Sequence, residues 1–254
     1  MLSKVNLYRN YITKVYLKRN IEKYPFLFLL IQRYRHRNRN KIFFNNRIVG
    51  KHCDLVIDGF PRSANSFCVK AFTNAQLPQK VQIGHHLHSI AAIKRAIQLK
   101  LPIIVVIREP YDAIVSYGSF TIQLKNFYNN NKKKYSEEWR IKWDIQYYID
   151  FYSEIYKIMD HVILAPFDEV TNDFGLIINK MNKKFKSNFI SFDHSIENEQ
   201  EIFKNSWSHL SPSNERNSIK PFVKKLLENK ECKDLLSEAD NIFKQLISKN
   251  NDNK

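Results

Sequence analysis

The stretch Asp54-Leu-Val-Ile-Asp-Gly-Phe-Pro-Arg-Ser-Ala-Asn-Ser-Phe67 constrains this chain most. Leu55, Val56 and Ile57 read as a buried strand. A turn of small and polar residues follows, then an apolar-periodic run at Phe67, Val69, Ala71 and Phe72. Strand, tight loop and helix in that order aim a helix N-terminus at an anion. From Gly59 the spacing matches part of the phosphate loop G-x-x-x-x-G-K-S/T. Gly59 takes the place of the first glycine and Ser66 that of the final Ser/Thr. Ala64 replaces the second glycine and Asn65 the lysine. The cradle thus lacks the cation that reaches the β- and γ-phosphates of a nucleoside triphosphate.

Four apolar runs read as buried strands: Cys53–Ile57, Lys80–Ile83, Ile103–Ile107 and Val162–Ala165. They are rich in Val and Ile and do not alternate with polar residues, which suits a parallel sheet covered on both faces. Helical stretches lie between them, over 67–77, 88–99, 110–125 and 136–159, with further helices over 171–185, 218–229 and 232–248. Alternating strands and helices predict a doubly wound α/β domain over 51–250, with ligands at the carboxyl ends of the strands. Chemistry-bearing residues follow each strand: Gly59–Ser66, then Gly84-His-His-Leu-His88, then Arg108-Glu-Pro, then Pro166-Phe-Asp-Glu169. Residues 117–135 read as a mobile basic loop. Trp139, Trp143, Tyr147, Phe151, Ile155 and Ile158 form a core-facing helical stripe.

The net charge of +16 is uneven. Residues 1–50 hold twelve Lys/Arg against Glu22 alone, a net +11, leaving +5 for the rest. They read as a basic, partly helical extension: a helix over 3–22, an apolar run Tyr24–Ile31 and a connector over 32–50. The apolar run is too short to span a bilayer. It either docks on the domain or lies on a membrane surface. No secretory signal is evident, and Cys53, Cys68 and Cys232 lie far apart, so the expectation is a reducing, cytoplasmic compartment. A nucleic-acid partner is not expected, because the basic excess lies outside the core and no recognition motif occurs.

In Arg108-Glu-Pro-Tyr-Asp-Ala-Ile-Val-Ser116 an arginine leaves a strand and Pro110 starts a helix. Ser116, about two helical turns on, faces the same side. An arginine fork beside a hydroxyl binds phosphate well.

With both motifs in view, the chain resembles the sulfotransferases that use 3′-phosphoadenosine 5′-phosphosulfate (PAPS) as donor. Phe60-Pro-Arg-Ser-Ala-Asn-Ser-Phe67 resembles that family's 5′-phosphosulfate loop, and Arg108–Ser116 its 3′-phosphate motif. Trp139, Trp143 and Phe167-Asp-Glu169 resemble the helix-then-strand block that follows, so the likeness covers roughly residues 52–185. It implies a three-layer P-loop-type α/β fold with a central, mostly parallel sheet of about four to five strands flanked by helices. It implies PAPS as co-substrate, no metal, and a small-molecule or glycan acceptor. The loop Pro61, Arg62, Ser63, Ala64, Asn65, Ser66 and Phe67 would hold the phosphosulfate, with Phe67 near the adenine. Arg108 and Ser116 would hold the 3′-phosphate.

His86 falls where cytosolic members carry their catalytic base, 22 residues before Arg108. A histidine suits proton removal near neutral pH. His86 is therefore the expected base, with His88 as alternative, and Arg62 the expected stabiliser of the bridging oxygen. Ser63 and Ser66 are expected hydroxyl contacts. Zinc at His85, His86 and His88 lacks a supporting Cys or carboxylate at ligand spacing.

Three departures stand out. Arg62 replaces the more usual lysine, keeping the charge but not the readiness to donate a proton. Ala64 replaces glycine, so negative φ is expected there. The C-terminal Arg-Lys-Gly element is absent, and Ser211–Lys220 is the expected substitute, with Arg216 or Lys220 at the 3′-phosphate. Two other classes stay open: an ATP-dependent small-molecule kinase and a basic nucleic-acid- or membrane-binding protein.

Overall fold

All five residues of β1, Leu55–Gly59, are buried, as a strand covered on both faces requires. The computed structural model describes residues 21–22, 24–37, 47–127, 136–204 and 213–252, and only the backbone of 35–37. In chain order, β1 is followed by β2 (Ile83–His85), β3 (Ile103–Ile107) and β4 (Ile163–Pro166). The helices are α1 (Pro25–Arg37), α2 (Asn65–Ala75), α3 (Ile90–Gln98), α4 (Pro110–Phe127), α5 (Glu137–Lys157), α6 (Phe167–Asn172), α7 (Phe174–Phe185), α8 (Ile196–Lys204), α9 (Asn214–Leu227) and α10 (Lys230–Asp252).

The four strands form an all-parallel sheet in the order β2-β1-β3-β4. Ile57 sits opposite His85 on one side and Ile104 on the other, and Gly59 opposite Val106. Successive side chains serve opposite faces. Val56, Ile103, Val105 and Ile107 join the core that contains α3, α4, α5, α9 and α10. Leu55, Ile57, Ile104 and Val106 join the core beneath α2, α7 and α8. Helices thus cover both faces of the sheet, the three-layer α/β arrangement expected. α9 packs along α4, and α10 along α5.

Several boundaries differ from expectation. β1 starts two residues later than Cys53 and runs on to Gly59. β2 pairs with β1 only from Ile83, because Gln82 N donates instead to the Asp54 carboxylate at 2.7 Å. Residues 117–127 are the last turns of α4 rather than loop. The apolar run at 24–31 belongs to α1, which continues to Arg37 where a connector was expected. Its inner residues Phe28 and Leu29 pack with Ile48 and with Ala91 of α3. α8 was not anticipated. In the aromatic stripe Tyr147, Phe151 and Ile155 are buried, while Trp139 and Trp143 are half-buried. Most of the helix expected over 3–22, the segment 128–135 of the expected loop, and residues 211–212 lie outside the described residues.

Candidate functional site

β1 lies inside the sheet, with β2 on one side and β3 on the other, so the connections after β1 and β3 diverge around it. In open parallel sheets such a switch point leaves a crevice at the carboxyl ends. The Gly59 terminus of β1 is fixed by packing: a Cβ there would meet Val106 O at 2.2 Å, so only glycine lets β1 approach β3 so closely.

The loop after Gly59 is anchored by Phe60, whose ring is fully buried among Tyr117, Tyr147 and Tyr148. Phe60 N donates to Tyr152 Oη at 3.2 Å. Beyond it, Arg62 (φ 69°) and Ala64 (φ 71°) are both left-handed. The negative φ expected at Ala64 is therefore corrected: the alanine adopts the conformation that glycine serves in such loops, Cβ notwithstanding. Alternating handedness of this kind gathers backbone N–H groups into an anion-binding concavity. Ala64 caps α2 without a side-chain hydrogen bond, and no acid lies in the helix's first turn. The first N–H groups of α2 therefore have no capping side chain competing with a ligand.

Asn65, in the lysine's place, turns back instead of reaching outward. Its Nδ2 donates to Phe60 O at 2.8 Å, while its Oδ1 is buried without a hydrogen-bond partner. Ser63 is also buried and lies beside Tyr152, outside the cavity lining. Ser63, expected as a hydroxyl contact, is thus not brought to the cavity: it lies between two left-handed residues and is buried.

Arginines from three parts of the chain converge here. Arg62 Nε donates to Ser116 Oγ at 3.2 Å, joining the loop to the third residue-set expected at the site. Arg108 reaches Arg62 O through Nη1 at 3.4 Å and Asp112 through Nη2 at 3.3 Å. Its guanidinium stacks over Phe167 at 4.3 Å, and Arg62 lies over Phe120 at 5.2 Å. Arg216, in the first turn of α9, is buried. Burial first, then the charges of Arg216 and Arg108, push Arg62 down to about 10. Such a concentration of positive charge favours an anionic ligand.

The histidines gather over the end of β2. Asp58, within β1, is fully buried. Its Oδ1 accepts from Gly59 N at 3.0 Å, and its Oδ2 from Leu87 N at 3.1 Å and His88 N at 2.8 Å. His88 Nδ1 lies 3.1 Å from Asp58 Oδ1 and 2.7 Å from Gly59 O. A carbonyl only accepts, so His88 Nδ1 carries a hydrogen. Burial acts to raise the Asp58 pKa, but the charge and hydrogen bond of His88, with His86 and Gly59 N–H, outweigh it and hold it low.

His86 is placed differently. Its Nε2 meets Ser66 Oγ at 2.7 Å, and its Nδ1 meets His85 Nδ1. Burial first, then the charges of His88 and His85, push it down to about 2; His85 is pushed to about 4. Among the described residues, no group of three or more His, Cys, Asp or Glu side chains is placed to hold a metal ion.

A cavity of about 490 Å³ brings most of these groups together. Pro61, Arg62, Ala64, Asn65, Ser66, Phe67, His86, His88 and Arg108 all line it. Ser116 joins through Arg62, whereas Ser63 and Arg216 are not among the lining residues. Phe67 packs edge-on against Phe174 and Phe192 and lies beside His194 and Phe203. The lining also includes Tyr117, Phe120 and Phe167, from stretches the sequence had marked, and Glu199 and Phe203 of α8, which were not sequence candidates for the site. Asp58 was missed as well, though an aspartate within an otherwise apolar strand signals a buried polar partner. No family model, no curated protein and no solved structure matches the chain. The fold and cavity therefore define the class by themselves: a parallel α/β protein with a cationic crevice at the carboxyl edge of its sheet.

Proposed function

We propose that the chain is a sulfotransferase that moves a sulfuryl group from PAPS to a hydroxyl or amine. One observation carries the reading. Arg62, from the loop after β1, and Ser116, from the helix after β3, are hydrogen-bonded at 3.2 Å, so two separate anion-binding motifs share one cavity. A donor with two separated anionic groups, a 5′-phosphosulfate and a 3′-phosphate, matches that duplication.

In the reaction, the acceptor oxygen or nitrogen attacks sulfur in line with the bridging oxygen. A new bond to sulfur forms as the bond from sulfur to the phosphate oxygen breaks. The products are the sulfated acceptor and adenosine 3′,5′-bisphosphate. The N–H groups at the start of α2 and the Arg62 guanidinium stabilise the charge growing on the departing phosphate. A sulfuryl group carries less charge than a phosphoryl group, so this cradle works without the lysine whose place Asn65 takes.

His88 is the better supported base. Its Nδ1–H is directed to Gly59 O and Asp58, the acceptor's proton would go to Nε2, and Asp58 stabilises the imidazolium that results. His86, the residue favoured by the resemblance, is instead tied to Ser66 and held neutral. We assign it to orienting the Ser66 hydroxyl. The kinase alternative has less support, since the Asn65 side chain folds back onto Phe60 O.

Isothermal titration of the full chain with adenosine 3′,5′-bisphosphate and with ATP-Mg²⁺ tests the reading. Binding of the bisphosphate at least tenfold tighter is expected. Tight binding of ATP-Mg²⁺ alone overturns it.

A further inference from the structure

α1 is apolar around most of its circumference. Its inner side buries Phe28 and Leu29 against Ile48 and Ala91. Phe26, Leu27, Leu30 and Tyr34 fall on another side at helical spacing, and all four are exposed, Phe26 at 78% and Tyr34 at 72%. A contiguous exposed patch of this kind marks an interaction site.

Charge decides what covers it. In the sequence, arginine stands at position 33, beside Tyr34, and again at 35, 37 and 39. The single acid among residues 1–50, Glu22, is buried. Residues 1–20 carry five cations and no acid, so laying them over α1 would bring like charges together. A second copy in the same place meets the same repulsion. Nucleic acid would satisfy the arginines but not four adjoining apolar side chains. An anionic lipid surface satisfies both, with headgroups for the cations and the acyl boundary for the aromatic and aliphatic side chains. At 13 residues α1 is about 20 Å long, and among the described residues no helix is long and apolar enough to cross a bilayer. It would lie in the plane of the surface.

We propose that α1 is an interfacial helix that seats the protein on an anionic membrane surface, whatever reaction the crevice carries out. The full chain is floated with vesicles of phosphatidylcholine alone and with phosphatidylserine added. Recovery at least tenfold higher with phosphatidylserine is expected, falling as salt rises. The variant Phe26→Ser/Leu30→Ser/Tyr34→Ser, altered only at exposed positions, loses that binding at least tenfold with its thermal unfolding unchanged. Equal recovery on both vesicles, or full binding by the triple variant, overturns the proposal. So does a dimer in sedimentation that the triple variant abolishes.

A second readout addresses coverage by the chain itself. Cys53, Cys68 and Cys232 are all buried, so an environment-sensitive dye on Leu30→Cys labels one site. Its emission is expected to shift to the blue only when phosphatidylserine vesicles are added. A blue-shifted emission already present in buffer overturns the proposal, because the patch would then be covered.

Discussion

Arg62 donates through Nε to Ser116 Oγ across 3.2 Å, although 54 positions separate them. The bond is polar, half-buried and joins loop to helix, so each residue holds the other in place for a ligand. Ser116→Ala is expected to weaken binding of adenosine 3′,5′-bisphosphate by about tenfold, the scale of one hydrogen bond to a charged group. Arg62→Ala and Arg108→Ala are each expected to weaken it by about 10- to 100-fold. Titration calorimetry on the double variant Arg62→Ala/Ser116→Ala reads the coupling: its loss is smaller than the sum of the two single losses. Full additivity would show that the two residues act independently.

Ala64, at φ 71°, is the residue that caps α2 and packs toward the core beneath that helix. A left-handed alanine costs about 1–2 kcal/mol, and glycine removes that strain at an entropic cost of about 0.5–1 kcal/mol in the unfolded chain. Ala64→Gly is therefore expected to stabilise the protein by about 0.5–1 kcal/mol, read as a rise in the urea midpoint. Ala64→Val, with its branched side chain, is expected to destabilise it and to weaken bisphosphate binding. An alanine that already fits the loop without strain would instead lower the midpoint in the glycine variant, because only the entropic cost of about 0.5–1 kcal/mol would remain.

What was legible in the chain follows from this contrast. The strand, loop and helix at 55–75, and the arginine and serine two turns apart at 108 and 116, are local patterns. Local spacing encodes them, so the sheet, and the meeting of these residues at its carboxyl edge, could be read in advance. The handedness of Ala64 was not legible, because no residue type announces a strained φ that tertiary packing enforces. The inward turn of Ser63 depends on Tyr152, and the fold-back of Asn65 on Phe60 O. The pairing of Asp58 with His88 joins positions 30 apart, one within β1 and one in the connection after β2. α8 brings Phe203 and Glu199 to the cavity from the far end of the chain, where its polar sequence gives only a weak core pattern.

The Asp58–His88 pair separates the two histidine assignments. His88→Ala is expected to lower turnover with labelled donor by about 10²- to 10⁴-fold, the usual contribution of a general base. Bisphosphate binding is expected to stay within about threefold, since the chain's anion contacts are elsewhere. Asp58→Asn is expected to lower turnover in the same direction, because a neutral amide no longer balances the imidazolium. His86→Ala, which loses the contacts to Ser66 and His85, is expected to cost about tenfold. A turnover loss confined to His86→Ala would return the base to that residue.

His85 and His86 also set an acid response of the fold. Burial holds both below the ordinary histidine value of about 6.5, at about 4 and about 2. As pH falls below about 6.5, the unfolded chain takes up these protons and the folded protein does not. Stability therefore falls with falling pH by about 1.4 kcal/mol per pH unit for each histidine, down to the folded value. Asp144 works the other way. Burial, with Glu137 adding and Arg140 opposing, raises it to about 7, so the folded protein binds a proton there that the unfolded chain releases. Between about pH 4.5 and 6.5 the balance of these three groups is a slope equivalent to about one histidine, with stability rising as pH rises. Urea unfolding across that window is expected to show it. His86→Asn removes one histidine's share and flattens the slope, whereas Asp144→Asn removes the opposing carboxyl and steepens it. An unchanged slope in His86→Asn would mean that this imidazole is solvated enough to take its proton in the folded protein.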